Sequence, residues 1–354
     1  MKKQIEYVFA RSFTPQGYSS FLPNLLSQAK RIVVLRGVSG NGRSTFLKRV
    51  GLHMAERGFG VQFWPMPLDP SFLDGIYLTH LDMIIVNQDS LGDIELDRWP
   101  GLMVKEIDLG QYCEFGELLR VQEQIADLSQ QLKVLLDGAQ VNLEDVQKKK
   151  RQLSARHEGL VNEDRISLLK NKLIGEILDE PEKEAHYFAS AVTSDGLINF
   201  FQEATWDCKR RYILQGPPGS EKSRLMWEIG KEARKRGYPV RFYHSGIDPD
   251  CLELVVVEGL QVALADGDFV RMPPRPGDRE VSLLEFFDGW EAADNLENRE
   301  AERRFAHSLY QAVEALNQAR QVEHKLCRVV TRAMNFDKVD TCREELIYEI
   351  LELE

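Results

Sequence analysis

Two short stretches carry residue types that, at their spacing, suit phosphate chemistry: "GVSGNGRST" at 37–45 and "GPPGSEKS" at 216–223. A phosphate-binding loop turns consecutive backbone N–H groups and a helix N-terminus toward an anion. Its pattern is G-x-x-x-x-G-K-[ST]. Glycines let the backbone wrap closely, lysine bridges the terminal phosphates, and Ser or Thr holds Mg2+. The first stretch keeps Gly37, Gly40, Gly42, Ser44 and Thr45 but has Arg43 in the lysine slot. Arginine preserves the charge on a bulkier, planar fork, so binding is easier to defend there than efficient hydrolysis. The second keeps Gly216, Gly219, Lys222 and Ser223 but has Glu221 in a glycine slot. A carboxylate beside phosphate oxygens costs ~1–4 kcal/mol unless it turns outward, and a side chain strains a turn that wants glycine.

Acidic residues near the loops are the next candidates. Asp69 and Asp248 both sit in "DP" just after an apolar run. At the carboxyl end of a strand they would face the ligand crevice, as a Mg2+-water ligand or a base that positions water or a substrate hydroxyl. An Asx-type cap before Pro70 and Pro249 is the equally weighted alternative. Asp266 ends "VALAD" and suits the acid that holds Mg2+ through water, whereas its counterpart is Asn87. The second half is therefore expected to be the better metal site, with Lys222, Asp248 and Asp266 as its catalytic set and Ser223 and Asp266 as metal ligands. Ser44 is the corresponding metal candidate in the first half. His244, Arg98 and Arg275 are weaker candidates, the arginines as phosphate clamps or as loop pins through carbonyl or carboxylate bonds.

The pairing of these candidates reflects a duplication. Shifted by 179 residues, the chain aligns with itself without a gap from Phe9 to Asp89, "FARSFTPQG" lying over "FASAVTSDG". Lys30/Lys209, Leu35/Leu214, Gly58/Gly237, Phe63/Phe242 and Asp69/Asp248 coincide. The second copy starts near 180, after which "EPEKEAHYF" reads as a linker. In each copy "RIVVLRG" or "RRYILQG" reads as a buried parallel strand. A helix follows at 44–57 or 223–236, closed by Gly58 or Gly237. "GVQFW" and "PVRFYH" read as second strands, "MIIVN" and "QVALAD" as third ones. Strand, glycine loop, helix is the context a phosphate loop requires. The fold class expected is α/β: two tandem P-loop NTPase-type parallel-sheet domains, 1–179 and 180–354, each with a helical-hairpin extension at about 115–179 and 300–354.

The extensions read as helices over 117–136, 142–160, 303–330 and 336–351, with Asn142 and Asn335 as N-caps. "MNFDKVD" is matched to "QVNLEDVQ". Leu118, Val121, Ile125, Leu128, Leu132 and Leu135 form a coiled-coil seam. Such seams usually serve packing on the chain's own core or its twin; a lid or partner arm is the sharper alternative. "QKKKRQ" at 147–152 reads as a solvated helix face.

Composition sets the outer limits. Hydrophobic residues are 43% and charged ones 29%, with a net charge of −11 that disfavours indiscriminate binding to nucleic acid or anionic membrane. No apolar run approaches the ~20 residues of a membrane span, and the N-terminus shows no secretory h-region. Five dispersed cysteines form no CxxC pair, which fits a reduced cytoplasmic setting.

"YFASAVTSDG", "ILQGPPGSEKS", "RGYPVRFYHSGIDPDCLELVVV", "LADG" and "RPG" in the second copy, with their partners "GVSGNGRST", "RGFGVQFWPMPLDPSFLDGI" and "DRWPG" in the first, resemble an uncharacterised family of bacterial tandem P-loop ATPases. The resemblance covers essentially the whole chain and implies ATP binding and a capacity for hydrolysis, but no pathway; the loops themselves lead us to expect ATP (or GTP) and Mg2+ at one or both sites. Arg43 and Glu221 depart from the family's loops, as does the absence of a histidine after the strand-end "DG". Those departures put turnover in doubt more than fold. A catalytically weak, nucleotide-sensing scaffold that holds a protein partner or self-associates through the hairpins, and a small-molecule kinase, are the alternatives.

Overall fold

Apolar runs broken by glycine set the strand ends, and the two copies fold alike. The computed structural model describes residues 5–92, 94, 96, 103–157, 161–177, 184–267, 273–286 and 296–353. The first half begins β1 (Ile5–Tyr7), β2 (Arg11–Thr14), β3 (Gly17–Ser20), α1 (Leu22–Leu26), β4 (Arg31–Arg36), α2 (Arg43–Glu56) and β5 (Val61–Pro65). It continues β6 (Leu73–Leu78), β7 (Met83–Asn87), α3 (Gln88–Leu91), β8 (Met103–Asp108), α4 (Phe115–Arg120), α5 (Gln122–Ala155) and α6 (Glu163–Ile177).

The second half runs β9 (Glu184–Phe188), β10 (Ser190–Thr193), β11 (Gly196–Asn199), α7 (Phe201–Ala204), β12 (Arg210–Gln215), α8 (Lys222–Lys235) and β13 (Val240–His244). After it come β14 (Leu252–Val257), β15 (Val262–Asp266), β16 (Arg279–Ser282), α9 (Leu296–Thr331) and α10 (Phe336–Leu351).

Each half builds a six-stranded sheet with one topology, β1-β5-β6-β7-β4-β8 and β9-β13-β14-β15-β12-β16. The sheets are mixed, which corrects the purely parallel expectation: β6 and β14 run antiparallel to both neighbours. The chain between β5 and β6 is too short for the helical crossover that a parallel neighbour needs, so the strand returns directly. The loop-bearing strand still lies beside the expected acid strand, with Leu35 opposite Asn87 and Leu214 opposite Asp266. Phe63, Trp64, Phe242 and Tyr243 are core residues.

The helical extensions are exchanged between the halves. α6, encoded in the first half, buries Ile166, Leu169 and Leu173 beside Leu225, Met226 and Ile229 of α8. α10 returns the exchange, placing Val339, Leu346, Ile347 and Ile350 beside Phe46, Leu47, Val50 and Met54 of α2. Each buried aliphatic side chain is worth ~1.5–3 kcal/mol, so each core depends on a helix from the other copy. The long helices α5 and α9 run antiparallel, since Asn142, Lys149 and Arg156 bond to Gln311, Ser308 and Asn298 in turn. Ala139, Leu143 and Val146 meet Ala312, Leu316 and Ala319 in their shared core.

Two sequence expectations change here. α5 is one continuous helix through 142, so Asn142 is no cap; its chain simply lacks a breaker strong enough to end a helix whose apolar face is covered. The true match of Asn335 is Asn162. Each side chain accepts from a backbone N–H three residues on, and their own N–H groups bond to Tyr112 O and Phe286 O, both at 2.9 Å. Among the described residues no helix is long and apolar enough to cross a membrane.

Candidate functional site

Both glycine loops connect a strand to a helix as their sequences require, and each floors a cavity of about 600 Å3. In the first, Gly37, Gly40 and Gly42 have φ of 131°, 95° and 90°, a region open to glycine. Asn41 folds beneath the loop: its Oδ1 accepts from Arg43 N, and a Cβ on Gly37 would meet its amide at 1.6 Å. Arg43, Ser44 and Thr45 line the cavity with Asn87. Arg43 is buried, its Nη2 donating to Asp89 Oδ2 at 2.6 Å while Nη1 has no partner. Ser44 Oγ accepts from Leu73 N (2.9 Å), and Asn87 Nδ2 donates to Leu73 O (2.9 Å), so β6 is clamped to the loop.

The second loop repeats the plan with different chemistry. Lys222 is folded onto Gly216 O and lies 3.1 Å from Asp266 Oδ1, which places lysine, Ser223 and the strand-end acid around one cavity. Ser223 Oγ accepts from Leu252 N (2.8 Å), which leaves the hydroxyl a second lone pair, and the residue lines the cavity. Glu221 takes the left-handed conformation of its glycine counterpart (φ 65°) and turns its carboxylate to Arg224 Nε at 2.8 Å. Pairing with Arg224 offsets part of the electrostatic objection, although Glu221 still lines the cavity, and the strain remains. A left-handed residue costs ~1–2 kcal/mol, whereas the half-exposed pair with Arg224 returns less than ~1 kcal/mol. Glu221→Gly should therefore raise stability by roughly 0.5–1 kcal/mol. A lower urea midpoint for this variant would show that the turn is not strained.

Each cavity is roofed by the opposite half. The α9 end reaches the first loop, where Thr331 Oγ1 donates to Gly40 O (2.9 Å). The α5 end reaches the second, where His157 Nδ1 donates to Pro218 O (2.7 Å). Asp69 and Asp248 bind these roof helices and lie outside both cavity linings. His324 Nε2 of α9 donates to Asp69 Oδ2 at 2.6 Å, and Arg151 of α5 grips Asp248 through Nε (3.1 Å) and Nη2 (2.9 Å). Burial would raise both carboxyls. Ser71 and His324 outweigh it at Asp69, and Arg151, Lys150 and Gln147 at Asp248, so both stay below the ordinary range. Asp69 also accepts from Ser71 N and Oγ, the Asx-type turn weighed from "DP".

The remaining candidates fall elsewhere. His244 stands in an aromatic cluster with Phe21, His186 and Trp227, where burial pushes it down to about 4. Arg275 pins a loop through Thr205 O and stacks on Trp206; Arg98 lies outside the described residues. "QKKKRQ" is not a solvated face: Gln147 and Lys150 are buried against the second half, and Arg151 is the Asp248 partner. Sequence reading also passed over Glu323, which lines the first cavity. It is 9% exposed with Oε2 unpartnered, and burial, then Asp69 and Asp74, hold its carboxyl up at about 7. A lone glutamate inside an amphipathic helix gives no signal of this. Comparison of the chain with models of protein families, with curated proteins and with solved structures finds no match.

Proposed function

We propose that this chain is a tandem P-loop NTPase that binds ATP or GTP, with Mg2+ at the second loop and turnover confined there. The observation that carries this reading is the pair of strand–glycine loop–helix units, each opening on a cavity of about 600 Å3, a size that suits a nucleotide. The second cavity fits a hard cation: a hydroxyl from Ser223, a carboxylate from Asp266, and room for water and phosphate oxygens. Mg2+ there would neutralise charge on the phosphates. Lys222 would leave Gly216 O to reach the terminal phosphates, while loop N–H groups hold the rest. Asp248, tied to Arg151, acts on the roof helix.

A nucleotide-sensing module without turnover is the second reading, favoured by Arg43 being drawn to Asp89 and by Asn87 in place of a carboxylate. Titration calorimetry of Mg-ATP into wild type, Arg43→Ala and Lys222→Ala, with phosphate release on the same samples, separates them. We expect Lys222→Ala to lose phosphate release and one binding event, Arg43→Ala only a binding event. Binding without release in wild type would select the sensing module. No binding at millimolar nucleotide would end both.

A further inference from the structure

The two cavities share a backbone plan and differ in charge. At the first, the α9 end and the turn after it bring Arg328 and Arg332 into the same lining as Arg43, Gly40 and Ser44. Among the described lining residues, these three guanidinium groups face one carboxyl, Glu323. The second cavity has Lys150, Lys222 and Arg224, but Glu221, Glu253, Asp266 and Glu302 outnumber them. The register that matches Asn335 to Asn162 sets Ala155 against Arg328, and among the described residues the end of α5 brings no arginine to the lining of the second cavity.

We propose that the first cavity binds the polyphosphate of a nucleotide without a divalent metal, with Arg328 and Arg332 of the opposite half supplying the positive charge. The inference rests on the nucleotide reading above. Three features carry it. Arg43 keeps a buried Nη1 donor with no partner in the wall of the cavity. The strand-end residue is Asn87, whose Nδ2 donates to Leu73 O and whose buried Oδ1 has no partner but brings no negative charge to hold a cation. Arginine's planar fork matches phosphate oxygens two at a time, and an array of such clamps neutralises a polyphosphate as a metal would. The remaining acid, Glu323, holds its proton up to about 7, which weakens it as a cation ligand. The second cavity, with more carboxyls than cations in its lining although burial raises Glu253, is the one that needs Mg2+.

The test is calorimetry with ATP in EDTA and in Mg2+. Wild type should bind one equivalent in EDTA and two in Mg2+. Lys222→Ala should bind one in both buffers, with affinities within threefold. Adding Arg328→Ala and Arg332→Ala, both exposed and outside the core, should weaken that event at least tenfold in both. Competition by inorganic tripolyphosphate at equal strength would locate recognition in the phosphate chain alone. A preference for ATP would add a contribution from the base; either result agrees with the assignment. Loss of all binding in EDTA, with two sites retained in Mg2+, would overturn the inference and leave the nucleotide reading intact. An arginine pair that changes nothing would overturn it as well. Absence of binding to wild type in either buffer would remove both.

Discussion

Gly219→Val and Gly40→Val are expected to be the most damaging single changes in either loop, costing about 3–5 kcal/mol each. Both positions hold positive φ, but strain is the smaller part. A Cβ on Gly219 would lie 2.4 Å from Ser154 O, and one on Gly40 would lie 2.4 Å from Cys327 O. These are backbone atoms of α5 and α9, and no rotamer change can clear them. The long helix must withdraw from the loop it roofs. Gly196→Val is the control, since its φ is 109° with nothing within 4 Å of the added carbon; it should cost about 1–2 kcal/mol. Urea midpoints compare the three, and amide exchange at the helix ends reports the withdrawal. Equal penalties at 219 and 196 would mean that α5 does not seat on the loop.

The second large effect is expected at Arg11. Its Nε and Nη2 donate to Asp74 at 2.5 and 2.8 Å, both residues being buried. Removing one member of a buried pair strands the other charge, at about 3–5 kcal/mol. Arg11→Ala should lose that much at pH 8, and Arg11→Met with Asp74→Leu should recover most of it. Glu323 sets the pH dependence. Its carboxyl titrates near 7 in the fold against 4.5 for the ordinary group. The folded protein therefore holds a proton that the unfolded chain has released between those values. The stability Glu323 contributes is full below about 4.5 and is lost as pH rises through 7. Arg11 is one of the cations that restrain this rise, so its removal should widen the window. The Arg11→Ala penalty should then be clearly smaller at pH 5 than at pH 8. A pH-independent penalty, measured by urea unfolding, would exclude this coupling. In the second half Ser190 and Glu253 take the places of Arg11 and Asp74, and the balancing cation is Lys150 on α5.

What could be read from the sequence followed range. The strand–loop–helix units and Gly58 and Gly237 as helix ends depend on short-range periodicity and turn residues, and these are legible, whereas the facing of Leu214 by Asp266 is a pairing of distant strands. β6 was missed because "LDGIYL" has a glycine where alternation should show, and nothing local marks a strand as antiparallel. The helical register failed for a related reason. "MNFDKVD" resembles "QVNLEDVQ" as a string, but the turn that matches Asn335 is at Asn162, and only the bonds to Tyr112 and Phe286 reveal it. The apolar seam of α5 announced a partner without naming it. Arg151 and His324 look like ordinary surface residues until the exchange sets them over Asp248 and Asp69.

The exchange of hairpins also bears on how the chain is made. The first sheet is complete once β8 has emerged, yet its core waits for Leu346, Ile347 and Ile350. At ribosomal speed the interval is roughly 10–50 s. During that time Phe46, Val50 and Met54 lack their cover, while α6 carries an apolar face meant for a sheet not yet translated. The second half meets its covering helix already waiting. Synthesis is therefore asymmetric in a molecule whose architecture is not, and the early half is the one that would need a holdase.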